Sequence, residues 1–319
     1  MTVLVTGASG FVGHAVWRRL DGMSCVTVRG SVRRAGIADT GASLVSVGDM
    51  SAKTDWSAAL VGVHAIVHTA ARVHVMQEAA IDPLAEFRRV NVQGTLILAR
   101  QAAAVGVRRF VFVSSIKVNG EATQPGSPFA ADDVPAPLDA YGISKMEAEQ
   151  GLREIALETG MEVVIIRPPL VYGPGVKANF AAMMRWLRRG VPLPLGAVHN
   201  QRSLVALDNL VDLIVTCLTH PAAANQTFLI SDGEDVSTTE LLRRMGPALG
   251  RPARLISVPV SLLKLAAALV GKPDVAQRLC GSLQVDIEKT RRLLSWTPPV
   301  SLDEGLKKAA KGYGREAAI

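Results

Sequence analysis

Two side chains able to exchange protons stand four residues apart in the string Tyr141-Gly-Ile-Ser-Lys145. At that spacing residues share one face of a helix, so a phenol and an ammonium can enter the same pocket. A neighbouring positive charge favours phenolate over phenol and draws a tyrosine pKa down from about 10. The chemistry expected of such a pair is giving a proton to a ketone or taking one from a hydroxyl. Tyrosine and lysine at this spacing also occur as plain helix-surface residues, so context has to decide. That context begins with Gly7-Ala-Ser-Gly10-Phe11-Val12-Gly13, close to the start of the chain.

These groups need a scaffold, and its elements can be read in order. Residues 2–6 form a short buried strand that feeds the glycines directly, and Val12, Val16 and Leu20 then fall on one helical stripe. A strand, a tight glycine turn and a helix N-terminus form the arrangement that cradles a dinucleotide pyrophosphate. A turn needing glycine only for its backbone is the other reading, and the strand–turn–helix order argues against it. Further strands are expected at 24–28, 44–47, 65–68, 109–113 and 163–166, alternating with helices around 56–60, 84–104 and 141–158. After Pro168 come helices at 180–189 and 208–218 and a strand at 227–230. A capping box, Ser237-Thr-Thr-Glu240, then opens a helix to Leu249. The expected fold is α/β, a Rossmann-type doubly wound parallel sheet with a smaller C-terminal α/β substrate-binding cap. Residues 1–168 and part of 203–235 are assigned to the first domain, and 169–202 with 236–319 to the cap.

Composition narrows the function classes. With 319 residues, 49% of them hydrophobic, the chain can bury a large core and is not expected to be disordered. Cys25, Cys217 and Cys280 lack metal-ligand spacing and suit a reducing compartment, so a cytoplasmic location and no metal are expected. A structural strand opening at residue 2 leaves no room for a signal peptide. The most apolar run, 262–270, is too short to cross a bilayer and is interrupted by Lys264; it reads as a buried or interface helix. The net charge is +7, but the arginines are scattered, without a basic block or aromatic ladder, which argues against nucleic acid.

Taken together, these markers resemble the extended short-chain dehydrogenase/reductases that act on nucleotide sugars. The resemblance rests on the glycine turn, Asp49, His68-Thr-Ala70-Ala71, Asn91, Ser114-Ser115, Tyr141 with Lys145, and Arg167-Pro-Pro with Tyr172-Gly-Pro174, in that order. It extends to a C-terminal stretch from Asp286 to Trp296. By position it implies that Ser115 hydrogen-bonds the reacting sugar oxygen, that Tyr141 transfers its proton, and that Lys145 holds the nicotinamide ribose and lowers the Tyr141 pKa. It likewise implies cofactor contacts from Gly7, Gly10, Phe11, Val12 and Gly13, from Asp49 to the adenine, and from Ala70, Ala71 and Asn91. The residues alone leave alternatives. Ser114 and Ser115 could cap a turn, Asp49 could form one, the alanines could simply pack, and Asn91 could be a buried positioning residue.

Cofactor and substrate readings follow from particular arginines. Arg29, placed at the end of the second strand and followed by Arg33 and Arg34, suits a 2′-phosphate, so NADP(H) is preferred. If those arginines are solvated loop residues, NAD(H) is used instead. Arg202, ahead of Ser-Leu-Val-Ala-Leu-Asp208, is similar to the arginine that grips the nucleotide diphosphate in relatives, with Arg278 a second candidate. Asn179 and Phe180 are candidate phosphate or base contacts, and His74 and His199 candidate polar pocket residues. A surface ion pair for Arg202 and a plain helix face for Arg278 are the alternatives. Dehydration is disfavoured because Ile116 and Lys117 stand where dehydratases carry an acidic pair. Epimerases share the Ser, Tyr and Lys, although Leu170 stands where they often carry asparagine. Arg29 favours NADPH-dependent reduction, and the string from Ser114 to Glu121 resembles bacterial surface-polysaccharide enzymes, which implies reduction of a UDP-4-keto-6-deoxy-N-acetylhexosamine at C4 in O-antigen (lipopolysaccharide) precursor synthesis. The alternative is an NAD-dependent UDP-sugar 4-epimerase; a non-catalytic NADP-sensing protein is more remote. A UDP-sugar is the expected partner, the resemblance implies a second copy pairing through helices 84–104 and 141–158, and no nucleic acid or membrane insertion is expected.

Overall fold

The computed structural model describes residues 1–34, 43–73, 82–124, 126–271 and 273–316. Its strands are β1 (Thr2–Thr6), β2 (Thr27–Val32), β3 (Ser43–Ser46), β4 (Ala65–His68), β5 (Arg109–Val113), β6 (Glu162–Arg167), β7 (Leu170–Tyr172), β8 (Arg202–Ala206), β9 (Thr227–Leu229) and β10 (Asp235–Val236). The helices are α1 (Phe11–Asp21), α2 (Ser57–Leu60), α3 (Pro83–Phe87), α4 (Gly94–Ala104), α5 (Ala140–Thr159), α6 (Ala178–Arg189), α7 (Leu207–Thr219), α8 (Thr238–Ala248), α9 (Val260–Leu269), α10 (Pro273–Cys280), α11 (Glu288–Leu294) and α12 (Leu302–Glu316).

Seven strands pair in the order β3-β2-β1-β4-β5-β6-β9, all parallel, which is the doubly wound sheet expected from the alternating pattern. Successive strand residues face opposite sides. Val3, Val5, Val67 and Val111 therefore join α1 and α7 in one core, while Leu4, Ile66, Phe110 and Phe112 join α4 and α5 in another. Each such side chain, fully buried, contributes about 1.5–3 kcal/mol. The strand order reverses between β1 and β4, so the ligand crevice of this topology opens at their carboxyl ends. Thr6, His68 and Phe112 lie in register there, across three adjacent strands.

A second, three-stranded sheet, β10-β8-β7, carries its own core, in which Tyr172 stacks on Phe180 with centroids 5.2 Å apart. Phe180 is buried in that core, so it is a packing residue and not a contact for a base. Of the expected capping box the Ser237 half forms, its hydroxyl accepting from the Glu240 amide at 3.0 Å, while the Glu240 carboxylate pairs with Arg244.

The structure departs from expectation at several points. The second strand starts at Thr27, because residues 23–26 form a turn in which the Val26 amide donates to Met23 O. It then runs through Gly30, where a side-chain carbon would lie 2.6 Å from Leu44 Cδ2 and 2.8 Å from Ala8 Cβ. Glycine here permits close packing of a strand interior; it does not end the strand. The helix expected over 84–104 contains a π-helical segment at Arg88–Gln93 that turns Asn91 inward. Leu294 and Trp296, assigned to the cap by sequence, pack in the α1/α7 core instead, and the Trp296 indole donates to Asp212 at 2.8 Å. The apolar helix α9 has no buried residue at all.

Candidate active site

The dinucleotide cradle is built by β1, the glycine turn and α1. Gly7 has φ +68°, a conformation that favours glycine, and the Gly10 amide donates to Gly7 O at 2.8 Å. A side-chain carbon on Gly13 would fall 2.1 Å from Gly7 O, and one on Gly7 would fall 3.0 Å from the Ala70 backbone. The first turn of α1, which carries Phe11, Val12 and Gly13, has no side-chain cap and no acidic residue. Its amides and positive dipole end are therefore available to an anion. A turn that only glycine fills, opening on an uncapped helix start, fits a dinucleotide pyrophosphate. Overpacking a tight site costs about 1–3 kcal/mol. Gly13→Ala is accordingly expected to weaken dinucleotide binding about tenfold or more in a fluorescence titration; unchanged affinity would contradict this placement.

Not every expected cofactor residue reaches the crevice. Arg29 lies inside β2, paired with Leu4 and Ser43, and its Nη1 donates to Ala59 O and Val61 O at 2.8 Å each. It is a brace between sheet and α2, and the assignment to a 2′-phosphate is corrected. Arg33 and Arg34, both exposed, are the residues that follow the carboxyl end of β2. Asp49 is exposed beyond β3, and its carbonyl accepts from Thr54. Asn91 is buried with its amide fully engaged: Oδ1 accepts from the Arg72 amide at 2.8 Å, and Nδ2 donates to Arg72 O and Ser144 Oγ at 3.0 Å each. It positions the segment after β4 against α5, with both of its amide hydrogens used there. Ala70 and Ala71 lie in that segment, half-buried. His74 lies outside the described residues, and His199 is exposed.

The proton-transfer residues sit at the carboxyl end of β5. Ser115 caps a short 3-10 turn, its hydroxyl accepting from the Lys117 amide at 3.2 Å, and its side chain favours the ionised form of Tyr141. Tyr141 is held in the first turn of α5, which Asp139 caps by accepting from the Gly142 amide at 2.7 Å. The ring packs edge-on to Phe87, with centroids 6.0 Å apart. Asp139 is in turn paired with Lys117. Burial pushes the Tyr141 pKa up to about 12, the Asp139 charge adds to the rise, and the Ser115 hydrogen bond opposes it. The sequence-based expectation was the reverse. Lys145 does share the helix face, but its Nζ donates to Val113 O at 2.8 Å and lies 4.3 Å from the centre of the Phe112 ring. Buried there, the ammonium is itself depressed to about 7, and burial dominates the shift of the phenol.

This burial has a consequence for stability. Between pH 7 and 10.5 the unfolded chain binds the Lys145 proton more tightly than the folded one does, so stability rises with pH across that window. Lys145→Met is expected to flatten that rise, measured as the urea midpoint at a series of pH values. An equal slope in the variant would place the charge elsewhere.

Behind these groups lies a network that sequence reasoning did not single out. Glu149, fully buried on α5, accepts from Arg167 Nε at 2.9 Å, from Arg167 Nη2 at 2.6 Å and from the Ser114 hydroxyl at 2.6 Å. Arg167 Nη1 donates to Asn119 Oδ1 at 3.0 Å. The signal was present, since Glu149 stands four residues beyond Lys145 and Arg167 ends β6. His68 is equally enclosed, bonded to Thr6 and Thr95 and held near pKa 3 by burial, hence neutral.

On the cap side, the structure brings together the two arginines read from sequence. Arg202 Nη1 donates to Arg278 O at 2.8 Å and to Gly281 O at 3.1 Å, joining β8 to the end of α10. Asn179 is exposed in the first turn of α6.

A doubly wound sheet with a glycine cradle and a hydroxyl pair at its carboxyl edge defines a dinucleotide-dependent enzyme. Residues 3–231 match the model of the NAD dependent epimerase/dehydratase family, and the chain belongs to that family. It is 50% identical over 313 residues to a UDP-glucose 4-epimerase of Vibrio cholerae, covering 98% of this chain and 95% of that one. Its fold is similar to that of a UDP-glucuronic acid 4-epimerase from Bacillus cereus in complex with NAD (TM-score 0.78, 21% identity, 99% of each chain). It is also similar to MoeE5 in complex with UDP-glucose and NAD (TM-score 0.77, 25% identity, 100% of each chain).

Proposed function

We propose that the protein is a UDP-sugar 4-epimerase, inverting the C4 hydroxyl of a UDP-hexose. The observation that carries this choice is the half-identical relative described as a UDP-glucose 4-epimerase, together with retention of Ser115, Tyr141 and Lys145. It replaces 4-keto reduction as the first reading, because the argument for reduction leaned on Arg29, which braces α2. Gly7, Gly10, Gly13 and the α1 amides would hold the dinucleotide, and Arg202 with Arg278 would hold the substrate diphosphate. A bound nicotinamide supplies the hydride acceptor and donor and, when oxidised, a positive charge. A positive charge beside Tyr141 would lower its pKa from about 12, so that the phenolate can take the proton of the C4 hydroxyl and the phenol return it. Ser115, whose side chain favours the ionised form of that phenol, orients the C4 oxygen.

One observation favours 4-keto reduction as a second reading. A phenol with its pKa at about 12 is protonated at neutral pH, the form that reduction of a ketone consumes. Preference for NADP(H) would now rest on Arg33 and Arg34, and paired titrations with NAD and NADP measure it. The deciding experiment incubates the protein with UDP-glucose and a trace of NAD. UDP-galactose should form with no net change in nicotinamide absorbance. Absence of interconversion, with stoichiometric NADPH loss on a UDP-4-keto-6-deoxy sugar, gives the protein to the second reading.

A further inference from the structure

We propose that α9, with basic residues close to it in the sequence, is a docking surface for an anionic phospholipid bilayer. Leu262, Leu265 and Leu269 are 53%, 57% and 80% exposed, and their spacing puts them on one stripe of the helix. Val270, at the end of the helix, is also exposed, as are Ile256 and Val275 on the segments flanking it. In a water-soluble domain a helix this apolar is normally buried, and a contiguous exposed patch marks a binding surface.

Charge decides what covers it. From residue 251 to 281 the sequence holds Arg251, Arg254, Lys264, Lys272 and Arg278 against a single acidic residue, Asp274. This short segment carries a net +4 of the chain's +7. A second copy meeting this face about a two-fold axis would set two such surfaces against each other. Anionic headgroups neutralise the charge while the leucine stripe enters the acyl boundary. Ten residues span only about 15 Å, so the helix lies flat on the surface. Among the described residues no helix is long and apolar enough to cross a membrane. Helix α9 packs along α10, whose Arg278 carbonyl accepts from Arg202, so a docked protein would bring its cap arginines to the lipid surface. The inference does not depend on which reaction the site performs.

Co-sedimentation of the full-length protein with phosphatidylcholine vesicles, with and without phosphatidylglycerol, tests it. Binding is expected only with phosphatidylglycerol, falling with added salt. Each leucine contributes transfer energy, so Leu265→Glu/Leu269→Glu should weaken binding about tenfold or more while UDP-sugar turnover and the unfolding midpoint stay as in wild type. Arg251→Glu/Lys264→Glu should weaken it as well, through charge alone. Lack of binding to phosphatidylglycerol vesicles, or equal binding by the leucine variant, overturns the proposal. So does a sedimentation-velocity dimer that the leucine variant dissolves, which would give α9 to a second copy.

Discussion

Tyr141→Phe is expected to keep its fold and its dinucleotide affinity and to lose turnover by about 10²–10⁴-fold, the range that proton transfer by a positioned side chain contributes. The substitution removes one hydroxyl from a ring whose packing against Phe87 is retained. The loss should therefore fall on kcat, with nucleotide titration and thermal midpoint as controls. Ser115→Ala should fall short of this, because it removes an orienting hydrogen bond and leaves the proton donor in place. Wild-type turnover in Tyr141→Phe would mean that another group moves the proton, or that the protein senses nucleotide without acting on it.

The largest effect on stability is expected at the buried pair behind the site. Glu149 and Arg167 are both essentially inaccessible to solvent and share two hydrogen bonds. Removing one partner leaves a buried charge unpaired, which costs about 3–5 kcal/mol. Glu149→Gln and Arg167→Met should each lower the unfolding free energy measured in urea by that amount, and Glu149→Leu/Arg167→Met should recover much of the loss, since an apolar pair leaves no orphaned charge. The recovery will be incomplete, because Ser114, Asn119 and Arg153 also bond into the network. Single variants as stable as wild type would show that the pair is not enclosed as described.

How much of this was legible in the sequence depended on whether local pattern or tertiary placement decides each element. Strands β1, β4 and β5 were readable because both faces are buried, leaving continuous apolar runs bounded by turn residues. The strand β2 was misplaced because Gly30 looks like a strand end, whereas the space it leaves is filled by Leu44 and Ala8. That error carried Arg29 to the wrong place: an arginine at a strand terminus reads as a ligand, but three residues further in it meets the carbonyls of α2. The short strands β7, β8 and β10 have no periodicity to detect and exist because they pair with one another. The spacing of Tyr141 and Lys145 did place them on one face. It could not say that the ammonium would be buried against a backbone carbonyl and an aromatic ring. Likewise the apolar run 262–270 announced a helix but not that the fold would leave it uncovered.

The most direct measurement follows the hydrogen on the reacting carbon. If C4 gives up its hydrogen as hydride while Tyr141 handles only the hydroxyl proton, UDP-glucose deuterated at C4 should yield UDP-galactose that keeps its deuterium, in ordinary water. Product formed with that label replaced by solvent hydrogen would contradict hydride transfer at C4, and with it the role assigned to the Ser115–Tyr141 pair.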